Sequence, residues 1–189
     1  MPETDIALTG DVTEDRVREI IREEIARAFK KDQARKQGML IASIGTLDWA
    51  YPPLILATAG AAAGMEMSIF FTFYGLNIVH KDFKKLLKVS PVANPGMPMP
   101  MPMPDIITAL PGMTSFATNM MKGMFSKKGV ATIEELIEVA IDLEVKLIAC
   151  QMTMDVFGYE QSDFLPGVEF GGAAAALSDA RKSHLTLFI

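Results

Sequence analysis

Two apolar runs rich in β-branched and aromatic residues, Gly38–Ile44 and Met67–Phe73, flank a stretch of 17 residues, Trp49–Met65, that carries no charge. Runs of that length and composition read as buried strands, and the uncharged stretch reads as a helix between them. The turn Gly45-Thr46-Leu47-Asp48 supplies Thr46 as an N-cap, and Gly64 closes the helix. A strand, a helix and a second strand in this order cross over right-handed and lie parallel, which places the chain in the α/β class. The same 17 residues are at the short end of what spans a bilayer. Pro52 and Pro53 near their start, their content of Ala and Gly, and the strand that follows directly behind Glu66 favour a helix packed on a sheet, with no membrane contact expected.

Further elements follow the same rules. From Thr13 to about Arg35, Val17, Ile20, Ile21, Ile25, Ala28 and Phe29 recur at helical spacing among mixed charges, predicting an amphipathic helix behind a loose tail. The chain therefore divides into a tail and helix at 1–36 and an α/β domain at 37–189. A lysine-bearing segment with Lys81, Lys84, Lys85 and Lys88 is expected to be a solvated face. Within a loop at about 91–110, Met-Pro repeats four times from Met97 to Pro104, which excludes helix and central strand and predicts an extended loop, serving as a lid or an oligomer contact. Pro111–Phe125 reads as a helix with Met113, Phe116, Ala117, Met120, Met121 and Met124 on its apolar face. Thr132-Ile133-Glu134-Glu135 is a capping box opening a helix that ends near Leu143. Val145–Ala149 is a third strand, followed by a helix to about Phe157; Val168–Phe170 and Thr186–Ile189 are short strands around an alanine-rich helix that runs to Ser183.

Ligands of an open parallel sheet gather outside the carboxyl ends of its strands. Four ends meet at one predicted rim, bringing together Asp48, Tyr74 with Asn77, Cys150 with Gln151, and Gly171 with Gly172. Cys150 is the chain's only cysteine, at the end of a strand where a helix begins. A helix N-terminus favours a thiolate, while a lone cysteine is equally at home as a small core residue, and position alone leaves both readings open. For the other rim residues the plain reading is a set of turns and caps.

Composition narrows the alternatives. A net charge of −5 and a pI near 5.1 speak against a nucleic-acid surface. One cysteine excludes an internal disulfide, and the start M-P-E-T-D lacks signal-peptide character, so cytoplasm is expected. Neither phosphate-binding glycine motif is present, and His80 and His184 have no partners at metal-ligand spacing, so no cofactor and no metal are expected. Thioethers of the Met-Pro run suit Cu(I), but they serve equally as adaptable packing, and packing is the reading adopted.

Taken together, G-T-L-D-W-A-Y-P-P (Gly45–Pro53), F-F-T-F-Y-G-L-N (Phe70–Asn77), the Met-Pro loop, G-V-A-T-I-E-E-L (Gly129–Leu136), I-A-C-Q-M-T-M-D (Ile148–Asp155) and G-V-E-F-G-G-A-A (Gly167–Ala174) resemble the DsrE/DsrF/DrsH superfamily. The resemblance covers about Gly38 to Ile189 and is closest to the DsrE-like proteins also labelled peroxiredoxin family or sulfurtransferases. It implies a three-layer flavodoxin-like α/β domain with a mainly parallel sheet of about five strands, assembled into homo-oligomers. It also implies a cysteine, here Cys150, that carries sulfur as a persulfide or thiosulfonate between donor and acceptor proteins. The peroxidatic pattern P-x-x-x-T-x-x-C is absent around Cys150. Three functions are thus in view: a sulfur carrier or sulfurtransferase, a non-catalytic oligomeric module binding a small anion or nucleotide at the rim, and a thiol peroxidase.

Overall fold

The computed structural model describes residues 36–89 and 112–189, together with Arg16 and residues 19–23. The chain forms two compact units, Met1–Arg35 and Lys36–Ile189. In the first, Arg16 and residues 19–23 are helical, and Arg16 pairs with Glu19 at 2.7 Å. The rest of the expected N-terminal helix lies outside the described residues, as does the Met-Pro segment.

The second unit is built on five parallel strands: β1 (Gln37–Ala42), β2 (Glu66–Phe71), β3 (Lys146–Cys150), β4 (Val168–Gly171) and β5 (Leu185–Phe188). Their order across the sheet is β4-β3-β2-β1-β5. Three successive connections therefore step in one direction, and only the last returns to the far edge. Right-handed crossovers put the helices of the first three connections on one face and the helix of the return on the other. The helices are α1 (Leu47–Ala62), α2 (Phe83–Leu86), α3 (Met113–Lys127), α4 (Ile133–Asp142), α5 (Gln151–Phe157) and α6 (Ala173–Lys182). The three expected layers are present, with unequal outer layers.

Strand alternation divides the core in two. Leu40, Ala42, Ile69, Phe71, Leu147 and Ala149 meet α1 and α4 in the larger cluster. Met39, Phe70, Ile148 and Cys150 meet Ala176 of α6 in the smaller one. Helix α1 runs through Pro52 and Pro53, so the carbonyls of Asp48 and Trp49 lose their helical N–H partners. Full burial of Ala50, Leu54 and Ala57 holds the helix in place, while Trp49, Ile55 and Leu56 face outward. At 16 residues α1 is about 24 Å long, and among the described residues no helix is long and apolar enough to cross a membrane.

Two local expectations are corrected. Thr46 holds the N-cap position of α1, but its hydroxyl makes no cap bond; the Leu47 N–H donates to the Lys88 carbonyl at 2.9 Å instead. On α3 the most buried described residue is Thr118, and Phe116 is exposed. The Thr118 hydroxyl accepts the Val89 N–H at 3.0 Å and donates to the Thr114 carbonyl at 2.7 Å, so a polar residue earns its burial by closing a loop end that apolar spacing does not reveal. The capping box at Thr132 forms as read: Thr132 Oγ1 accepts the Glu135 N–H at 3.2 Å and Glu135 Oε2 accepts the Thr132 N–H at 2.7 Å.

Candidate functional site

The carboxyl ends of the parallel strands share one edge of the sheet. There Cys150 is both the last residue of β3 and the N-cap of α5. Register sets it opposite Gly171 of β4, and the pairing of Ala149 with Phe71 brings Thr72, the residue after β2, to its other side. Its side chain faces α6, and only 2% of the residue is exposed. Two more buried polar residues close the corner: Thr72 Oγ1 lies 3.3 Å from Thr153 Oγ1, and the Phe73 N–H donates to Thr153 Oγ1 at 3.2 Å.

Burial opposes a charge on this sulfur, yet the thiol lies below its ordinary value. The Thr153 hydroxyl and backbone N–H, the Thr72 hydroxyl and the Met152 N–H all favour the thiolate and together outweigh desolvation. The Cys150 side chain itself makes no cap hydrogen bond at the start of α5. Because folding lowers this value, ionisation stabilises the fold; that contribution is complete above the ordinary thiol value of about 8.5 and is lost as pH falls through the folded value. Wild type is therefore expected to gain stability relative to Cys150→Ser as pH rises from neutral to about 9. Urea unfolding of both proteins along that range measures it, and a constant difference contradicts the lowered value.

Of the other rim residues, Gln151 is exposed on the first turn of α5, and Tyr74 is 65% exposed with its ring against Phe157. Asn77 Oδ1 accepts from the Tyr159 hydroxyl at 3.4 Å. Gly171 pairs with Cys150, and Gly172 is the N-cap of α6. Asp48 belongs to α1 on the opposite face of the sheet from Cys150; its Oδ1 and Thr46 Oγ1 are buried without a hydrogen-bond partner among the described residues. The rim thus brings Gly171 beside Cys150, while the turn at Gly45 that leads into α1 packs against Tyr74 and Asn77.

Neither Thr72 nor Thr153 is among the residues the sequence points to, although Thr153 is within its reach. Once Cys150 is the N-cap of a helix, the residue three positions on is the one whose side chain reaches back, and that residue is Thr153. Thr72 required the pairing of β2 with β3. His80 and His184 serve locally, their Nδ1 atoms accepting the Asp82 and Gln37 N–H groups at 2.9 and 3.2 Å. Among the described residues no three His, Cys, Asp or Glu side chains converge as metal ligands do. A cavity of about 320 Å³ between α1, α2, α3 and the start of α4 is floored by Leu47, Tyr51, Phe83 and Ile133, on the face away from Cys150.

The DsrE/DsrF/DrsH-like family model matches residues 34–188. The chain belongs to that family. Its DsrE-like relatives include the "Sulfur carrier protein DsrE2" of Allochromatium vinosum, 51% identical over 159 residues, covering 82% of this chain and 99% of the relative. YrkE of Bacillus subtilis is 32% identical over 155 residues, covering 82% of this chain and 97% of YrkE. Among solved structures, the ychN protein of E. coli aligns over 82% of this chain and 99% of its own, with a TM-score of 0.48 and 11% identity.

Proposed function

We propose that this family member is a sulfur carrier that holds sulfur covalently on Cys150. The observation that carries the reading is the chain's single thiol, set at a strand end among groups that favour its thiolate, in a protein 51% identical to a named sulfur carrier along nearly that carrier's whole length. The thiolate attacks the outer sulfur of a donor persulfide; the donor's sulfur–sulfur bond breaks, the donor leaves as a thiolate, and Cys150 becomes the persulfide. An acceptor thiolate then attacks that outer sulfur, the new bond forms on the acceptor, and Cys150 is released as a thiolate. Both steps are exchanges of one sulfur atom, and neither needs an external oxidant or reductant.

With no second cysteine in the chain, sulfur leaves only to another molecule, so the cycle calls for separate donor and acceptor partners. A free thiol in this role suits a reducing compartment such as the cytoplasm. The apolar side chains Leu185, Leu187 and Phe188, exposed along the edge strand β5, suit a homo-oligomer.

Incubation with glutathione persulfide followed by intact-mass measurement tests the reading. Wild type is expected to gain the mass of one sulfur atom, to lose it on cyanide treatment, and to pass it to an added thiol; Cys150→Ser is expected to gain nothing. A wild-type protein that takes up no sulfur, or a Cys150→Ser protein that takes up as much, overturns it.

A further inference from the structure

The cavity of about 320 Å³ between α1, α2, α3 and the start of α4 takes no part in the sulfur chemistry, because its walls belong to the larger core cluster and Cys150 to the smaller one. Its volume is at the small end of ligand pockets, about 300–1,000 Å³, with room for a single apolar chain or ring. Leu47, Phe83, Leu87 and Ile133, all buried, supply an apolar wall, and the ring of Phe125 stands edge-on to Tyr51 at 4.8 Å. Water against an apolar wall lacks partners, so an apolar group that takes its place is favoured.

Two polar features say what else the occupant carries. Tyr51 lines the cavity at 8% exposure, and among the described residues its hydroxyl makes no hydrogen bond. Burial and the nearby Glu135 carboxylate push this phenol up from its ordinary value, so it stays protonated and remains a donor. The second feature is charge: residues 83–89 and 113–130 carry six lysines and no acid, in a chain whose net charge is −5. Of the two lysines lining the cavity, Lys84 pairs with Glu134 at 2.6 Å, whereas Lys122 has no ion-pair partner among the described residues. Glu135 is engaged in the capping box, its Oε2 accepting the Thr132 N–H at 2.7 Å. Both neighbouring acids are thus taken, and a cation is left over at the mouth.

We propose that this cavity binds a small amphipathic anion, a single acyl-like body carrying one carboxylate. The body lies against Leu47, Phe83, Leu87 and Ile133, and the carboxylate is drawn to Lys122 and accepts from the Tyr51 hydroxyl. Lys122 stands one helical turn before Phe125, whose ring meets Tyr51, so ammonium and phenol serve the same end of the ligand. The site is independent of Cys150 and stands whether or not the thiol carries sulfur.

Isothermal titration of the full chain with dodecanoate, kept below its micelle concentration, tests the site. One molecule is expected to bind per chain, and Cys150→Ser is expected to bind as wild type does. Dodecyltrimethylammonium, with the same body and the opposite charge, is expected to bind roughly tenfold more weakly or worse. Lys122→Glu and Tyr51→Phe are each expected to lose roughly tenfold in affinity, as removal of a hydrogen bond to a charged group does. Val130→Trp, at an exposed residue of the cavity wall, fills the space and is expected to abolish binding. A folded Val130→Trp protein that binds dodecanoate as wild type does overturns the proposal, as does equal affinity for the cationic amphiphile. Should Val130→Trp not fold, unchanged affinities in Lys122→Glu and Tyr51→Phe overturn it too. Absence of dodecanoate binding, with attachment to vesicles of phosphatidylglycerol and phosphatidylcholine that Lys122→Glu removes, also overturns it and assigns the lysines to a lipid surface.

Discussion

Gly75→Ala is expected to destabilise the α/β unit by roughly 3 kcal/mol, and Gly45→Ala by a similar amount. A Cβ at position 75 would lie 2.1 Å from the Ala42 carbonyl oxygen and 2.8 Å from its carbon; one at position 45 would lie 1.9 Å from the Tyr74 carbonyl oxygen. These obstacles are backbone atoms of the opposing segment, so no side chain can rotate away and the two rim turns must separate. Neither glycine has the positive φ that marks a left-handed backbone, so the requirement is close approach alone. Separation strains bonds that knit the rim: the Gly75 N–H to Ser43 oxygen at 3.2 Å, and the Thr72 N–H to Ala42 oxygen at 3.0 Å. Because this turn also presents Thr72 and Phe73 to Thr153, the thiolate midpoint of Cys150 is expected to move along with stability. Gly123→Ala is the control: it lies inside α3 with nothing within 4 Å of an added Cβ, and it is expected to be neutral or stabilising by up to about 1 kcal/mol. Urea unfolding midpoints decide the matter, and a Gly75→Ala protein that unfolds with wild type contradicts the close packing of the rim.

The fold was legible wherever one residue type dictates a local outcome. Two apolar runs around an uncharged helix implied parallel strands, and β1 and β2 pair in parallel from Gln37 with Glu66 to Ala42 with Phe71. Thr132 and Glu135, three apart ahead of an apolar run, implied a capping box, and both of its bonds form. The strand after Met67 was read to Phe73 and ends at Phe71, because Phe73–Ile78 turns into a 3-10 helix; F-F-T-F-Y has strand-like composition, and only the approach of Gly75 to Ala42 bends it away. Long-range placement was not legible. Nothing local puts β5 beside β1, and that choice sends α6 alone to the second face and fixes which helix Cys150 lies beneath. The same limit hid Thr72, whose role depends on strand register, and it grouped Asp48 with Cys150 although α1 packs on the other face of the sheet.

Phe71→Ala is expected to carry the other large effect, a loss of about 3–5 kcal/mol. Phe71 is fully buried on the central strand β2, pointing into the larger cluster among α1 and α4, and it ranks first by volume among the fully buried side chains. Truncation removes a ring from a core bounded by strands on one side and helices on the other, where neighbours relax only partly and a cavity remains. Phe188→Ala removes the same ring from β5, where the residue is 72% exposed, and it is expected to change stability by less than about 0.5 kcal/mol. Phe70→Ala falls between them: its ring is 5% exposed but packs in the smaller cluster, beneath a single helix whose Ala176 can settle toward the gap. The order Phe71, Phe70, Phe188 in loss of stability therefore reports the unequal covering of the two faces that follows from a single returning crossover. Urea unfolding of the three variants measures it, and a Phe70→Ala loss equal to or above that of Phe71→Ala would show the α6 face to be packed as tightly as the face beneath α1 and α4.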